Sequence, residues 1–190
     1  MRRIALAALL SSALAAPALA AETYVLDPSH ARLSFTVGHL GFSDVLGMFD
    51  TVSGTLTLDE ENPANSSVSI TIDASSIDTG WDARDQHIRA ADFLDVENAP
   101  EITFESTSVE VTGEDTATVT GDLTLLGNTQ SVTLDVTLNQ LGDNPLSGTP
   151  TVGFDATTTI DRTAFGNDTF APAIAAELPV IASFEFTKAE

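Results

Sequence analysis

The sequence predicts an all-β protein of about eight antiparallel strands, arranged as a barrel or a sandwich, with one short helix near residues 81–91. Three observations lead to this prediction. In successive runs, apolar residues occupy every second position, which is typical of half-buried strands. Clusters of Gly, Pro, Asn and Asp separate these runs at hairpin spacing. Only one stretch changes to the spacing of a helix.

Each alternating run places its apolar side chains on one face of a predicted strand, because successive side chains point to opposite sides of a sheet. Turn signals at 61–63, 113–115, 127–128 and 142–145 separate several of the runs. In chain order, the apolar faces carry Leu33, Phe35, Val37 and His39; Leu56 and Leu58; Val68, Ile70, Ile72 and Ala74; Ala117, Val119, Gly121, Leu123 and Leu125; Val132, Leu134, Val136 and Leu138; Val152, Phe154, Ala156, Thr158 and Ile160; and Ala182, Phe184 and Phe186.

The predicted helix runs from Trp81 to Ala91. Thr79 is placed to cap its start, and Asp85 is spaced to pair with Arg89 one turn further on. One face of this helix carries Trp81, Arg84, Ile88 and Ala91, with His87 beside it. A helix between the strands of a barrel commonly covers one end or lines the mouth.

Composition and charge exclude several classes of function. The 190 residues include 28 acidic and seven basic residues, three histidines and no cysteine. Nucleic acid is excluded as a main partner, because binding it requires a basic face. The absence of cysteine excludes disulfides, thiolate metal sites and a cysteine nucleophile. An acidic surface so poor in lysine is typical of proteins that function where salt screens charge repulsion.

The first twenty residues predict a secretory signal peptide that is removed from the mature protein. A short positive start, Arg2-Arg3, precedes an apolar run, and Ala18-Leu19-Ala20 is a small-x-small cleavage site. The apolar run is too short and too interrupted to span a membrane. We therefore expect a single domain over residues 21–190 that is periplasmic or secreted.

The histidines and arginines are the candidates for polar contacts. His39 is in phase with Val37, so we expect it to point inwards, as a core histidine with a hydrogen-bond partner or as a polar group in a cavity. His30 follows a turn signal and is interpreted as a turn residue. For Arg84 and Arg162 the interpretation favours a functional contact over a structural ion pair. None of the three histidines shows metal-ligand spacing, so no metal site is predicted.

Sequence motifs for catalysis are missing, including the nucleophile elbow and the glycine-rich phosphate loops. Three hypotheses remain from these observations. The first is a binding protein with an apolar cavity. The second is an enzyme in which a carboxylate and a histidine act on a small apolar substrate. The third is a structural or stress-related module whose interior is filled by side chains.

An ordered set of short motifs resembles the YceI-like family of bacterial polyisoprenoid-binding proteins, over nearly the whole of residues 21–190. Each motif alone is weak, but their order along the chain is specific. The motifs are Tyr24-Val25-Leu26-Asp27-Pro28-Ser29-His30, Leu33-Ser34-Phe35-Thr36-Val37 with His39, Ile77-Asp78-Thr79-Gly80, Arg84-Asp85-Gln86-His87-Ile88, Asp92-Phe93-Leu94-Asp95, Pro100-Glu101-Ile102-Thr103-Phe104, Gly121-Asp122-Leu123-Thr124-Leu125 and Arg162-Thr163-Ala164-Phe165-Gly166. The chain departs from the family pattern at Leu126, Gln130 and Ala164, where polar or charged residues are common.

The resemblance implies an eight-stranded antiparallel lipocalin-like barrel that encloses an apolar cavity. Its ligand would be an isoprenoid-chain lipid, a quinone or a polyprenyl phosphate, with no catalytic residue, metal or other cofactor. A homodimer is possible, and no protein partner is predicted. With strand phase, the resemblance leads us to expect ligand contacts from Phe35, Val37, Ile88, Phe154 and Ile160 for the tail and from His39, Arg84, His87 and Arg162 for the head group.

Overall fold

The computed structural model describes residues 21–189, so the predicted signal peptide, residues 1–20, lies outside the described residues. One α-helix, α1 (Asp82–Arg89), and three short 3₁₀ helices, at Pro63–Asn65, Ala74–Ser76 and Arg162–Phe165, accompany ten strands. The strands are β1 (Glu22–His39), β2 (Ser43–Phe49), β3 (Val52–Leu58), β4 (Ser67–Asp73), β5 (Ile77–Asp78), β6 (Glu101–Val111), β7 (Thr116–Leu125), β8 (Asn128–Asp143), β9 (Pro150–Asp161) and β10 (Glu177–Lys188).

Eight of these strands form a closed antiparallel barrel, so the predicted fold class is confirmed. The circuit runs β1-β3-β4-β6-β7-β8-β9-β10 and closes because β10 pairs with β1. This pairing distinguishes a barrel from a sandwich, the alternative that strand patterning left open. Closure also leaves these eight strands without a free edge that could pair with another chain.

Strand β1 is long enough to take part in three pairings. Its first residues, 22–25, pair with β3, and residues 33–39 pair with β2. On its other side β1 pairs with β10, but this ladder is interrupted by a bulge between Leu26 and Ala31. The β1–β10 ladder ends at the pair Phe35 and Val180. Of the described strands, only β2 pairs with the remaining residues of β1, so the β1–β2 hairpin extends beyond β10.

The interior of the barrel is packed at one end. Tyr24 and Val152 are almost completely buried there, and Leu26 pairs with Phe186 across the β1–β10 ladder. Phe186 in turn pairs with Val152 on β9. These large side chains fill the space between the strands and close this end of the barrel with a compact apolar core.

The helix is shorter than predicted, and its side chains bond differently. Helix α1 begins at Asp82 without a side-chain cap, so the prediction that Thr79 caps it is wrong. The Thr79 hydroxyl donates instead to the buried carboxylate of Asp85. The predicted pair between Asp85 and Arg89 is also wrong, because Arg89 donates to the carbonyl oxygens of Ser75 at 2.7 Å and of Ile77 at 2.6 Å. The Asp85 carboxylate instead accepts hydrogen bonds from the amide and the hydroxyl of Thr79.

Candidate functional site

An apolar cavity of about 250 Å³ lies inside the other half of the barrel. Close-packed protein interiors contain few voids larger than a water molecule, so a space of this size is not a packing defect. Strand residues such as Phe35, Val37 and Ile160 line its wall. Ile88 of helix α1 and Ile174, in the segment before β10, also contribute to the lining.

The lining is almost entirely apolar. Within residues 21–189, its polar members are Thr157, Thr158, Arg162 and Asn167, of which only Arg162 is charged. Among the described residues, no aspartate, glutamate or histidine lines this cavity. General acid–base chemistry on a ligand in the cavity would need such a group within hydrogen-bond reach. The lining therefore offers a bound molecule mainly apolar contacts.

Arg162 is buried beside the cavity, with 4% of its surface exposed. Its Nε donates to the Ala175 carbonyl at 2.9 Å, and its Nη2 donates to the carbonyls of Thr169 and Ile174 at 3.1 and 2.9 Å. Its Nη1 donates to the backbone and side-chain oxygens of Asn167 at 2.6 and 2.9 Å. A guanidinium has five N–H donors, and all five are used. Burial lowers the pKa of Arg162, although Asp161 and Asp168 oppose this shift.

Three segments that contribute to the cavity lining contact one another. Residues 166–176 bond to the β1–β2 hairpin, with the Leu40 amide donating to the Ala173 carbonyl at 2.9 Å. The segment after α1 supplies Phe93 to the cavity lining, and the Phe93 ring lies 6.0 Å from the exposed ring of Phe170. The Thr169 hydroxyl bonds to the Asp92 carbonyl and ties these last two segments together.

The two predicted head-group residues around helix α1 lie outside the cavity lining. His87 is exposed, with its Nε2 3.3 Å from an Asp92 carboxylate oxygen and its ring edge-on to Phe93 at 5.0 Å. Arg84 is half-buried and donates to the Thr79 hydroxyl and carbonyl, both at 2.6 Å. Its guanidinium also lies 5.7 Å from the Trp81 ring centre. The Arg84 contacts tie helix α1 to the residue that precedes its first turn.

The structure therefore brings together five of the nine predicted ligand-contact residues. The five that line the cavity are Phe35, Val37, Ile88, Ile160 and Arg162. Phe154 is partly buried and packs against the core cluster, but it does not line the cavity.

His39 is exposed, so the expectation that it points into the interior is wrong. It lies beyond the end of the β1–β10 ladder, where only β2 and a single bridge to Ile174 flank the strand. Strand phase places a side chain inside only where neighbouring strands cover that face.

Sequence reasoning missed the cavity residues that come from connecting segments. Phe93, Leu94, Asn167 and Ile174 line the cavity from such segments without a periodic pattern. Phe93 and Leu94 belong to one of the motifs that resemble the YceI-like family, but no local pattern marks Asn167 or Ile174. Leu33 and Phe184 were missed although strand phase already placed both on inward faces.

No helix within residues 21–189 is both long enough and apolar enough to cross a membrane.

Comparison with known proteins gives consistent matches over most of the chain. Residues 24–186 match the family model described as a YceI-like domain. A UPF0312 protein of Ectopseudomonas mendocina is 44% identical over 163 residues, which cover 84% of this chain and 85% of that protein. Protein YceI of Escherichia coli is 42% identical over 173 residues, covering 90% of this chain and 89% of that protein.

Two solved structures share the barrel. BcnA of Burkholderia cenocepacia superimposes with a TM-score of 0.75 at 26% identity, over 84% of this chain and 98% of that one. A polyisoprenoid-binding domain from Saccharophagus degradans, described as implicated in plant cell wall breakdown, superimposes with a TM-score of 0.68. It is 18% identical, with 87% of this chain and 98% of that chain covered, so this second likeness concerns the fold alone.

Proposed function

This chain belongs to the YceI-like family, and from that premise we propose that it is a lipid-binding protein that holds an isoprenoid chain in its barrel cavity for transport or storage. The observation that carries the proposal is the cavity itself, which lies within the barrel and is almost free of polar groups. Transfer of an apolar tail from water into such a space is favourable by roughly 25 cal/mol per Å² of buried surface, before the costs of binding.

The cavity supports this hypothesis better than the two alternatives. A filled structural module would have a packed interior throughout, whereas this barrel is packed only at the end formed by Tyr24, Val152 and Phe186. An enzyme would need a reactive group facing its substrate, and the lining offers only the saturated guanidinium of Arg162 as a charged group.

The charges around the cavity favour a ligand with an uncharged head group, such as a quinone, over a polyprenyl phosphate. A phosphate is normally held by arginine or lysine with free donors. Arg162 has none, and Arg84 and Arg89 already donate to oxygens of the chain itself. An overall charge of −21 also repels an anionic head group.

The choice of an isoprenoid tail is part of the proposal. The neighbour from Saccharophagus degradans is described as polyisoprenoid-binding, and it supports the proposal only by showing the same barrel. The argument for this chain rests on its own lining, in which branched and aromatic side chains such as Ile72, Leu134 and Phe104 match the branched surface of an isoprenoid.

We propose further that the protein is exported and that residues 1–20 are removed. The positive start and the site at Ala18-Leu19-Ala20 support this. The protein isolated from its native host should therefore begin at Ala21. An intact Met1 on the mature protein would contradict the proposal.

The binding proposal is tested by filling the cavity with a side chain of the protein itself. Val37 lines the cavity, so the indole of a Val37→Trp variant would occupy the space of the lipid tail. Val25→Trp is the matched control, because it makes the same change on the same strand at a residue that is 45% exposed. Native mass spectrometry and lipid extraction measure the lipid that co-purifies with each protein.

We expect Val37→Trp to lose most of its lipid while its melting temperature changes by only a few degrees. Val25→Trp should keep the lipid load of the unchanged protein. In a close-packed interior, the added volume would instead strain the fold by about 1–3 kcal/mol. A strongly destabilised Val37→Trp protein, or one with a full lipid load, would show that this face does not hold the ligand.

A further inference from the structure

The bulge in β1 brings three possible metal ligands together at the seam where the barrel closes. It interrupts the β1–β10 ladder between Leu26 and Ala31, and the four bulged residues include Asp27 and His30. The Nδ1 atom of His30 lies 2.9 Å from Asp27 Oδ2 and 3.9 Å from Oε2 of Glu185 on β10. The three ligand atoms all lie within 4.8 Å of one another.

These separations suit a small divalent cation. A tetrahedral ion bound by nitrogen and oxygen at about 2.0–2.2 Å sets its ligand atoms roughly 3–4 Å apart. The side chains of His30, Asp27 and Glu185 are 60%, 27% and 43% exposed, so an ion can reach them from solvent. One imidazole and two carboxylates form a mixed set for which transition metals such as zinc compete well.

The surrounding contacts hold one ligand in place and leave another available. The Oδ1 atom of Asp27 accepts hydrogen bonds from the Ser29 amide at 2.8 Å and the Ser29 hydroxyl at 2.7 Å. This fixes the carboxylate and leaves Oδ2 directed at His30, as outer contacts do for metal ligands. Within residues 21–189, His30 is the only basic side chain within 4.0 Å of the Glu185 carboxylate.

We propose that Asp27, His30 and Glu185 form a binding site for a divalent transition metal of the Zn²⁺ class, with three protein ligands and an open fourth position. The ion links the first strand of the barrel to the last across the bulge, where the backbone ladder is missing. Binding to the folded state alone stabilises it by mass action. The metal would thus strengthen the closing seam of the barrel, at a place separate from the lipid cavity.

The test measures zinc binding to the full mature protein at pH 8 in molar NaCl, by equilibrium dialysis after treatment with a chelator. Molar salt suppresses weak binding to the many surface acids. The variants His30→Ala and Glu185→Gln each remove one ligand. His87→Ala is the matched control, because His87 is also exposed and lies 3.3 Å from Asp92 but belongs to no three-ligand group in the described part of the chain.

We expect one zinc ion per chain in the unchanged protein and in His87→Ala, with a rise in melting temperature on addition of zinc. Affinity should fall at least tenfold in both ligand variants. Glu185→Gln keeps the test decisive if His30→Ala fails to fold. The proposal is wrong if the unchanged protein binds no stoichiometric zinc, or if Glu185→Gln binds it as tightly as the unchanged protein.

Discussion

The side chain of Arg162 illustrates how a buried charge can have a structural role without an acidic partner. Sequence reasoning assigned it to a ligand head group, because arginine is scarce in this chain and suits anions. In the fold its five donors hold the carbonyls of residues 167–175 and the amide oxygen of Asn167. Buried carbonyls need donors as much as a buried guanidinium needs acceptors, so both requirements are met locally.

Arg162→Lys is therefore expected to destabilise the protein by about 2–4 kcal/mol, because an ammonium cannot satisfy carbonyls on so many sides. Urea unfolding measures this change. Arg32→Lys serves as the control, since Arg32 is exposed and should change the free energy of unfolding by less than about 0.5 kcal/mol. If the Arg162→Lys protein were stable but lost its lipid, Arg162 would instead be a contact for the ligand head group.

A pH dependence of stability is expected from Asp27. Its pKa is about 2 in the folded protein and near 3.8 when unperturbed, first because of the hydrogen bond from His30 and then because of those from Ser29. Between these values the unfolded chain binds more protons, so the stabilisation by Asp27 is complete above about pH 4 and disappears as pH falls through 2. After allowance for solvent screening it is worth about 1 kcal/mol.

The measurement compares the unfolding free energy of the unchanged protein with that of Asp27→Asn from pH 5 to pH 2, in the presence of a chelator. The difference between the two proteins should shrink as pH falls. A difference that stays constant over this range would show that the Asp27 carboxylate has an ordinary pKa.

At the level of the elements, Gly47 on β2 allows an aromatic ring of β1 to lie over the sheet. Gly47 pairs with Phe35, and a Cβ atom built on it would lie 2.4 Å from the Cζ atom of that ring. No methyl group fits at this distance, so the ring would have to move. Because Phe35 also lines the cavity, this cross-strand contact sets part of the cavity wall.

Gly47→Ala should consequently cost about 1–3 kcal/mol of stability and reduce the lipid that the protein retains. Gly153→Ala on β9 is the control, because the nearest atom to its added Cβ, Asn139 Cβ, lies at an ordinary 3.8 Å. The control should be neutral or slightly stabilising. Urea unfolding measures the stability of each variant, and lipid extraction measures its lipid content. Equal stability and equal lipid content of Gly47→Ala and Gly153→Ala would show that the Gly47–Phe35 contact does not matter.

For the whole molecule, charge repulsion should make stability depend strongly on salt. Because Arg2 and Arg3 belong to the predicted signal peptide, the mature chain has five basic residues against 28 acidic ones. Screening weakens repulsion between exposed carboxylates, so the melting temperature should rise from low salt to molar NaCl. Scanning calorimetry measures it, with an uncharged osmolyte as control. A flat or falling trend in NaCl would contradict the prediction.

Sequence by itself determined the all-β class, the approximate number of strands, the position of the helix and, except at His39, the inward face of the first strand. These features are local, because alternation and turn residues act over a few positions. Such patterns also placed Phe35, Val37 and Ile160 correctly at the cavity. The predicted compartment rests on the sequence of the leader, and the predicted salt response rests on the excess of acidic residues.

Tertiary structure decided how deep along the barrel each inward side chain lies and which distant segments meet. Alternation assigns Phe154 and Val37 to the same kind of face, but only the closed sheet decides that Val37 lines the cavity and Phe154 does not. The same closure brings Glu185 beside His30 across the β1–β10 seam. Depth and long-range contact depend on how strands are staggered around a closed sheet, and periodicity within one strand carries no information about that stagger.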